Sequence, residues 1–361
     1  MNSGGQIDKR QLVVLVTLTL MGSYFLTVPR VMAHYAGSAG WLGPLFGSVA
    51  GIINAFILTA LHRRFPEQDF TGIAQIVLGP VGGKLWALLF FAYTLIIATV
   101  IREFATTILT PFLPDSPIGP VIIIMGLLLT YLAYSGIESI ARTAQVFLPL
   151  IVISLLLLLI TALSTGDLGR IQPWLGKGWK GIGQATLNSG SIYGEIILFA
   201  AILPHLRRTS DNLSGLLWGI FFAGILLTLI TIGGISLFGY RSLTRLAFPA
   251  ISTARTIRIG TYFERMEALF IIIWFNMSML KMGLFLYAAA KTLAGTLNLP
   301  EYKPLVVPTV IFLMLLVLLP ATDYSIVMIL NYFTSLTLPV TFILPGLLLA
   351  VAYLRKKGEQ Q

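Results

Sequence analysis

The 361-residue chain is 57% hydrophobic and only 11% charged, with a mean hydropathy of +0.89, which excludes a soluble globular protein. Its formal charge of +10 sits in short Lys and Arg clusters between apolar runs, so it orients the chain in a bilayer and does not indicate nucleic acid. The absence of cysteine excludes disulfides, thiolate metal sites and cysteine nucleophiles.

A membrane helix needs about 20 mostly apolar residues, and about ten segments qualify. The first, residues 11–33, follows Lys9-Arg10 like a leader, but Thr17, Thr19 and Gly22 make a poor leader core, so it reads as an uncleaved span. Met21-Gly22-Ser23-Tyr24 interrupts it. The second, 41–61, carries Gly43, Gly47 and Gly51 at every fourth position, a spacing for close helix packing, and ends at His62-Arg63-Arg64. The third, 85–112, holds Arg102 and Glu103, which as neighbours diverge by about 100° on a helix and so need partners on other spans. The fourth and fifth, 119–135 and 144–163, flank a loop with Arg142. The sixth, 185–206, is interrupted by Asn188-Ser189-Gly190-Ser191-Ile192-Tyr193-Gly194-Glu195 and ends at Arg207-Arg208. The seventh is 213–238. The eighth, 262–293, opens on the capping box Thr261 and Glu264, with Glu267 behind it, and carries Lys281 too deep to snorkel. The last two, 305–319 and 326–354, lead to Arg355-Lys356-Lys357. The alternation of basic loops puts both termini in the cytoplasm, although loops 166–184 and 239–261 on the other side are also basic.

Shifting the first half by roughly 170 to 185 residues lays spans one to five over six to ten and one break over the other. Five spans followed by five enter the membrane from opposite sides, so the expectation is a single all-α transmembrane domain over 1–361, built as an inverted repeat of about 10–165 and 183–354. Lipid tolerates broken backbone only where it lines a protein-walled cavity, so the paired breaks locate a pocket. Its expected lining is Gly22, Ser23 and Tyr24 on one side and Ser189, Gly190, Ser191, Tyr193 and Glu195 on the other. An unwound first span exposes N–H groups suited to a carboxylate. Unpaired carbonyls around Gly190 suit an ammonium, with Tyr193 limiting the pocket. Glu195 can accept that ammonium, carry a proton, or pair with Lys281 or Arg102, and Arg102, Glu103 and Lys281 form a candidate coupling or ion-pair network. Trp274 either walls the pocket or packs. His34, His62 and His205 lack metal-ligand spacing, and with no nucleotide loop, zinc motif or Ser-His-Asp set, neither a cofactor nor an enzyme is expected.

The order of further motifs resembles the B subunits of spore germinant receptors, relatives of the amino acid/polyamine/organocation transporters. The likeness runs through Gln11-Leu12, Gly22 and Pro29, Trp41, Phe65-Pro66, Arg102 with Phe104, Leu113-Pro114-Asp115-Ser116-Pro117 and Gly136-Ile137-Glu138. It continues with Ala141-Arg142-Thr143-Ala144, Pro173-Trp174-Leu175-Gly176, Tyr193-Gly194-Glu195, Leu203-Pro204 and Phe248-Pro249. Its most distinctive block is Arg258 and Phe263-Glu264-Arg265-Met266-Glu267-Ala268-Leu269-Phe270 through Trp274. The resemblance implies a LeuT-type fold with broken helices one and six. It also implies a germinant-sensing subunit of the spore inner membrane or cell membrane that works with A and C subunits. The expected ligand is a small nutrient, an amino acid, sensed to trigger germination. The alternative on the same scaffold is a proton- or cation-coupled amino acid symporter.

Overall fold

The structure is a computed structural model describing residues 5–22, 24–95, 100–106, 115–256, 266–318, 337 and 339–358. Helices α1 (Lys9–Met21), α2 (Val28–Ala36), α3 (Leu42–Arg64) and α4 (Phe70–Thr94) are followed by a helical stretch, α5, at 100–106. Then come α6 (Ile118–Ser135), α7 (Ile137–Thr165), α8 (Gly178–Tyr193), α9 (Asp211–Leu243) and α10 (Pro249–Ala254). Finally α11 (Met266–Thr296), α12 (Lys303–Leu318) and α13 (Leu344–Leu354) complete the described fold. Six of these helices are long and apolar enough to cross a bilayer. This is a multi-pass membrane protein.

The first span is broken where the sequence indicates: α1 stops at Gly22, a 3-10 turn covers Tyr24–Leu26, and α2 resumes at Val28 with Pro29 in its first turn. The sixth span differs from expectation. The helix runs intact through Gly190 to Tyr193 and then tightens into a 3-10 run over Gly194–Ala201, with a second short turn at Leu203–His205. The carbonyl of Gly190 accepts the Gly194 N–H, so it is not the open acceptor expected there. The third span begins earlier than 85, because Asp69 caps α4 by accepting the Gly72 N–H at 2.8 Å. Gly79, at φ 85°, makes a kink between two helical halves in the stretch left between the second and third expected spans. The fifth starts directly after Gly136 (φ 87°), which puts Glu138 and Arg142 on the helix as an i,i+4 pair. The capping residues Thr261 and Glu264, the side chain of Glu267, the ends of the third and ninth spans and most of the tenth lie outside the described residues.

At the centre, α11 packs against α1, α4, α6 and α7, and α3 packs against α8 and α9. In α11, 78% of the most apolar stretch is buried, against 28% in α6 and α7, so a charge on α11 faces protein while α6 and α7 present Ile123, Leu127, Ile153 and Ile160 to lipid. The glycine row of α3 is a packing seam: a Cβ at Gly47 would stand 2.7 Å from that of Ser189, and one at Gly51 3.1 Å from that of Tyr193. Both described chain ends meet one face. Ile7 donates to the His205 carbonyl (3.0 Å) and accepts from the Arg207 N–H (3.1 Å). Arg64 donates to the Lys357 carbonyl and lies 4.4 Å over the Tyr353 ring.

Candidate functional site

Gly22 ends α1 with its N–H bonded to the Leu18 carbonyl at 2.8 Å. The missing side chain matters here, because a Cβ would run into Cδ of Lys281 and lie 3.3 Å from its Cβ. The break in the first span is therefore the groove through which the Lys281 stem passes. Its ammonium reaches Oε1 of Glu195 at 2.9 Å, the two side chains being 0% and 5% exposed, and sits 4.1 Å from the Tyr24 ring centroid. Phe285 lies 6.0 Å from the same nitrogen, and the phenols of Tyr24 and Tyr93 flank Glu195. A buried ion pair is held only where geometry and neighbours compensate its desolvation. Here the compensation comes from a close contact and an aromatic face.

Glu103 belongs to the same field, since the cations acting on it are Arg30 of α2 and Lys281. Arg102 turns elsewhere and donates Nη1 to the Val317 carbonyl of α12 at 2.9 Å. The two neighbours thus take separate partners, as their angular offset requires, and Glu195 is paired with Lys281 rather than Arg102.

Of the expected lining, Gly22, Tyr24 and Glu195 come together around Lys281 of the expected ion-pair network, with Glu103 beside them; Ser23 lies outside the described residues. Tyr193 does not bound this site. Its ring packs on Gly51 and its hydroxyl donates to the Pro44 carbonyl at 3.1 Å, which places it between α3 and α8 as a packing side chain. Ser189 lies against Gly47, Gly190 faces Ala50, and Ser191 donates to the Asn188 carbonyl at 2.6 Å. The 3-10 run is docked by Asn54, which donates to the Gly194 carbonyl at 3.4 Å, and by Thr341, close beside Gly194.

A second lysine of α11 was not singled out by the sequence. Lys291 donates to the Ala201 carbonyl (3.0 Å) and to Nε2 of His205 (2.6 Å), so α11 grips the 3-10 run near its start through Lys281 and at its end through Lys291. Accepting the lysine's proton at Nε2 leaves Nδ1 of His205 as the donor to the Gly5 carbonyl at 3.2 Å, while the Tyr287 hydroxyl lies 3.2 Å from Nε2. An open cleft of about 290 Å³ beside this cluster is lined in part by Asp69, Tyr302 and Glu301. The available signal was a lysine deep in an apolar run, ten residues after another. Among the described residues no group of His, Asp and Glu is arranged to hold a metal.

A family model described as "Spore germination protein" matches residues 6–325. Spore germination protein KB of Bacillus subtilis (strain 168) is 26% identical over 330 residues, covering 89% of this chain and 86% of its own. Spore germination protein YndE of the same organism is 24% identical over 369 residues, covering 98% of each. Among solved structures, the nucleobase-cation-symport-1 family transporter Mhp1, closed on bromovinylhydantoin, superposes with TM-score 0.74 at 15% identity over 99% of this chain and 82% of that one. A Na+-coupled sialic acid symporter in a substrate-bound outward-open state gives TM-score 0.74 at 13% identity over 98% and 80%. MhsT in complex with L-phenylalanine gives 0.62 at 13% over 97% and 90%. The fold is the LeuT-type fold of these transporters.

Proposed function

Because the chain belongs to the spore germination protein family, we propose that it is the nutrient-sensing membrane subunit of a germinant receptor, working with A and C subunits in the spore inner membrane, its termini cytoplasmic. The ligand is a small amino acid bound at the Glu195–Lys281 pair. The observation that carries this reading is the pair itself: opposite charges 2.9 Å apart, buried, seated in the break of the first span under Tyr24. A zwitterion is the ligand complementary to such a pair, because its ammonium replaces Lys281 at Glu195 while its carboxylate takes the freed Lys281. That insertion parts Lys281 from the 3-10 run and so favours a different arrangement of α11 and the sixth span. A ligand shifts an equilibrium by as much as its affinities for the two states differ. Partner subunits that contact the moving helices then read the change.

Equilibrium binding of amino acids to the purified chain in lipid nanodiscs tests the reading. Saturable binding in the wild type that is lost in Glu195→Gln supports it; no saturable binding, or unchanged binding in the variant, overturns it.

The match to cation-coupled symporters favours one second reading, a proton- or cation-coupled amino acid symporter. Counterflow of labelled substrate in proteoliposomes separates the two: exchange indicates transport, and binding without flux indicates a sensor.

A further inference from the structure

Two segments far apart in sequence meet where the last helix ends. Arg64, in the last turn of α3, donates to the Lys357 carbonyl and lies 4.4 Å over the Tyr353 ring, while Gly358 packs on Arg64 and Phe65. Arg355 donates Nη1 to the Val77 carbonyl of α4 at 2.9 Å. These contacts set Arg355, Lys356 and Lys357 beside Arg63 and Arg64. Arg63, Arg355, Lys356 and Lys357 are exposed, and none of them makes an ion pair among the described residues.

The patch stands where the lipid-facing surface stops. Ile343, Leu347 and Leu354 recur at intervals of four and seven, which places them on one side of the last helix. All of them are exposed, Leu354 by 83%. In a membrane protein such an aliphatic stripe is covered by acyl chains. The basic residues follow Leu354 directly, so they fall at the level of the lipid headgroups.

The turn that carries the lysines has a feature that orientation in the bilayer does not explain. The Lys357 N–H bonds to the Ala352 carbonyl and the Lys356 N–H to the Tyr353 carbonyl, each at 3.1 Å. That is the bond pair of a Schellman cap, with Lys356 in the position that glycine usually fills. Its φ of 49° is left-handed, a conformation that a Cβ makes unfavourable. Orientation depends on how many basic residues a loop holds and not on which backbone position carries them. A lysine at this strained position is explained if its ammonium has a ligand there.

We propose that this corner binds the headgroup of an anionic phospholipid. Lys356 and Lys357, with Arg63 beside them, hold the phosphate, and the acyl chains lie along Leu354 and Leu347. Arg64 and Arg355 are tied to backbone carbonyls of the tail and of α4, so they fix the corner to the body of the fold. A bound lipid then holds the tail, α3 and α4 together.

The test uses the full chain in dodecylmaltoside micelles, with bound lipid counted by native mass spectrometry. Phosphatidylglycerol is compared with phosphatidylcholine of the same acyl chains and should be favoured at least about tenfold. Each basic residue close to an anionic headgroup is worth about fivefold in affinity. Lys356→Gly should therefore cut the preference about fivefold, while the lipid-free chain melts at the same temperature or higher, because glycine suits the left-handed cap. Lys356→Gly combined with Arg63→Gln and Lys357→Gln should abolish the preference. Equal retention of the two lipids, or a preference that survives the triple substitution, overturns the proposal. A Lys356→Gly chain that melts lower and keeps its lipid preference also overturns it, since the lysine is then structural. Displacement of phosphatidylglycerol by millimolar inorganic phosphate or by polyglutamate overturns it too, assigning the corner to a free phosphate or to an acidic protein segment.

Discussion

Replacing Glu195 by Gln removes the carboxylate 2.9 Å from the fully buried Lys281 ammonium, leaving Glu103 as the remaining carboxylate in its field. At that separation the attraction is about 6 kcal/mol for an effective dielectric of about 20, most of it offset by the desolvation of both ions. Removing one partner forfeits the attraction and keeps the other ion's desolvation, so Glu195→Gln and Lys281→Met should each cost about 3–5 kcal/mol of unfolding free energy. Removing both leaves no buried charge at the pair. The double variant should then lie within about 1–2 kcal/mol of wild type, giving a coupling of several kcal/mol. Denaturant unfolding in detergent micelles, followed by tryptophan fluorescence, supplies the four corners of the cycle. If the two single losses simply add to within about 0.5 kcal/mol, the side chains are not paired and the site described above is wrong.

Gly22→Ala should displace Lys281, because the new methyl runs into its Cδ; amino acid affinity should fall about 5- to 150-fold, by about 1–3 kcal/mol, in the binding assay. Tyr24→Phe keeps the aromatic face over the ammonium and should retain stability, whereas Tyr24→Leu removes it and should cost about 1–2 kcal/mol in the same unfolding measurement. Gly47→Val should press α3 off Ser189 and lower the melting temperature while Gly119→Ala, where a Cβ meets nothing, should not. Lys291→Met should free the end of the 3-10 run, read as faster amide hydrogen exchange over residues 201–207 and at Ile7, with the backbone around Glu195 still protected by Lys281.

The outline of the membrane fold was legible because apolar run length, glycine breaks and isolated intramembrane charges are local signals. Gly22, Glu195 and Lys281 all announced themselves in this way. What local signals do not carry is direction. Tyr193 and Glu195 are two residues apart at a helix end and so diverge by about 200°, which sends the phenol into the α3 seam and the carboxylate to α11. The choice of Lys281 over Arg102 as the partner of Glu195 depends on the packing of α11 against α1 and the sixth span, which only the fold determines. Gly79 and Gly136 fall between the expected spans, but one kinks a continuing helix and the other joins two, so the third and fifth spans begin earlier than the apolar runs suggest. The 3-10 run was invisible for a related reason: Gly-Glu-Ile-Ile-Leu-Phe-Ala-Ala has ordinary helix-forming composition, and its tightening accompanies the grip of two lysines from α11.

The most direct measurement is a structure of the chain with its amino acid bound, read at a single distance. The insertion described above requires the Lys281 ammonium to leave Glu195, from 2.9 Å to beyond about 4 Å, the limit of an ion pair, with the ligand ammonium on the carboxylate in its place. A ligand held elsewhere while the Glu195–Lys281 contact stays intact would contradict it.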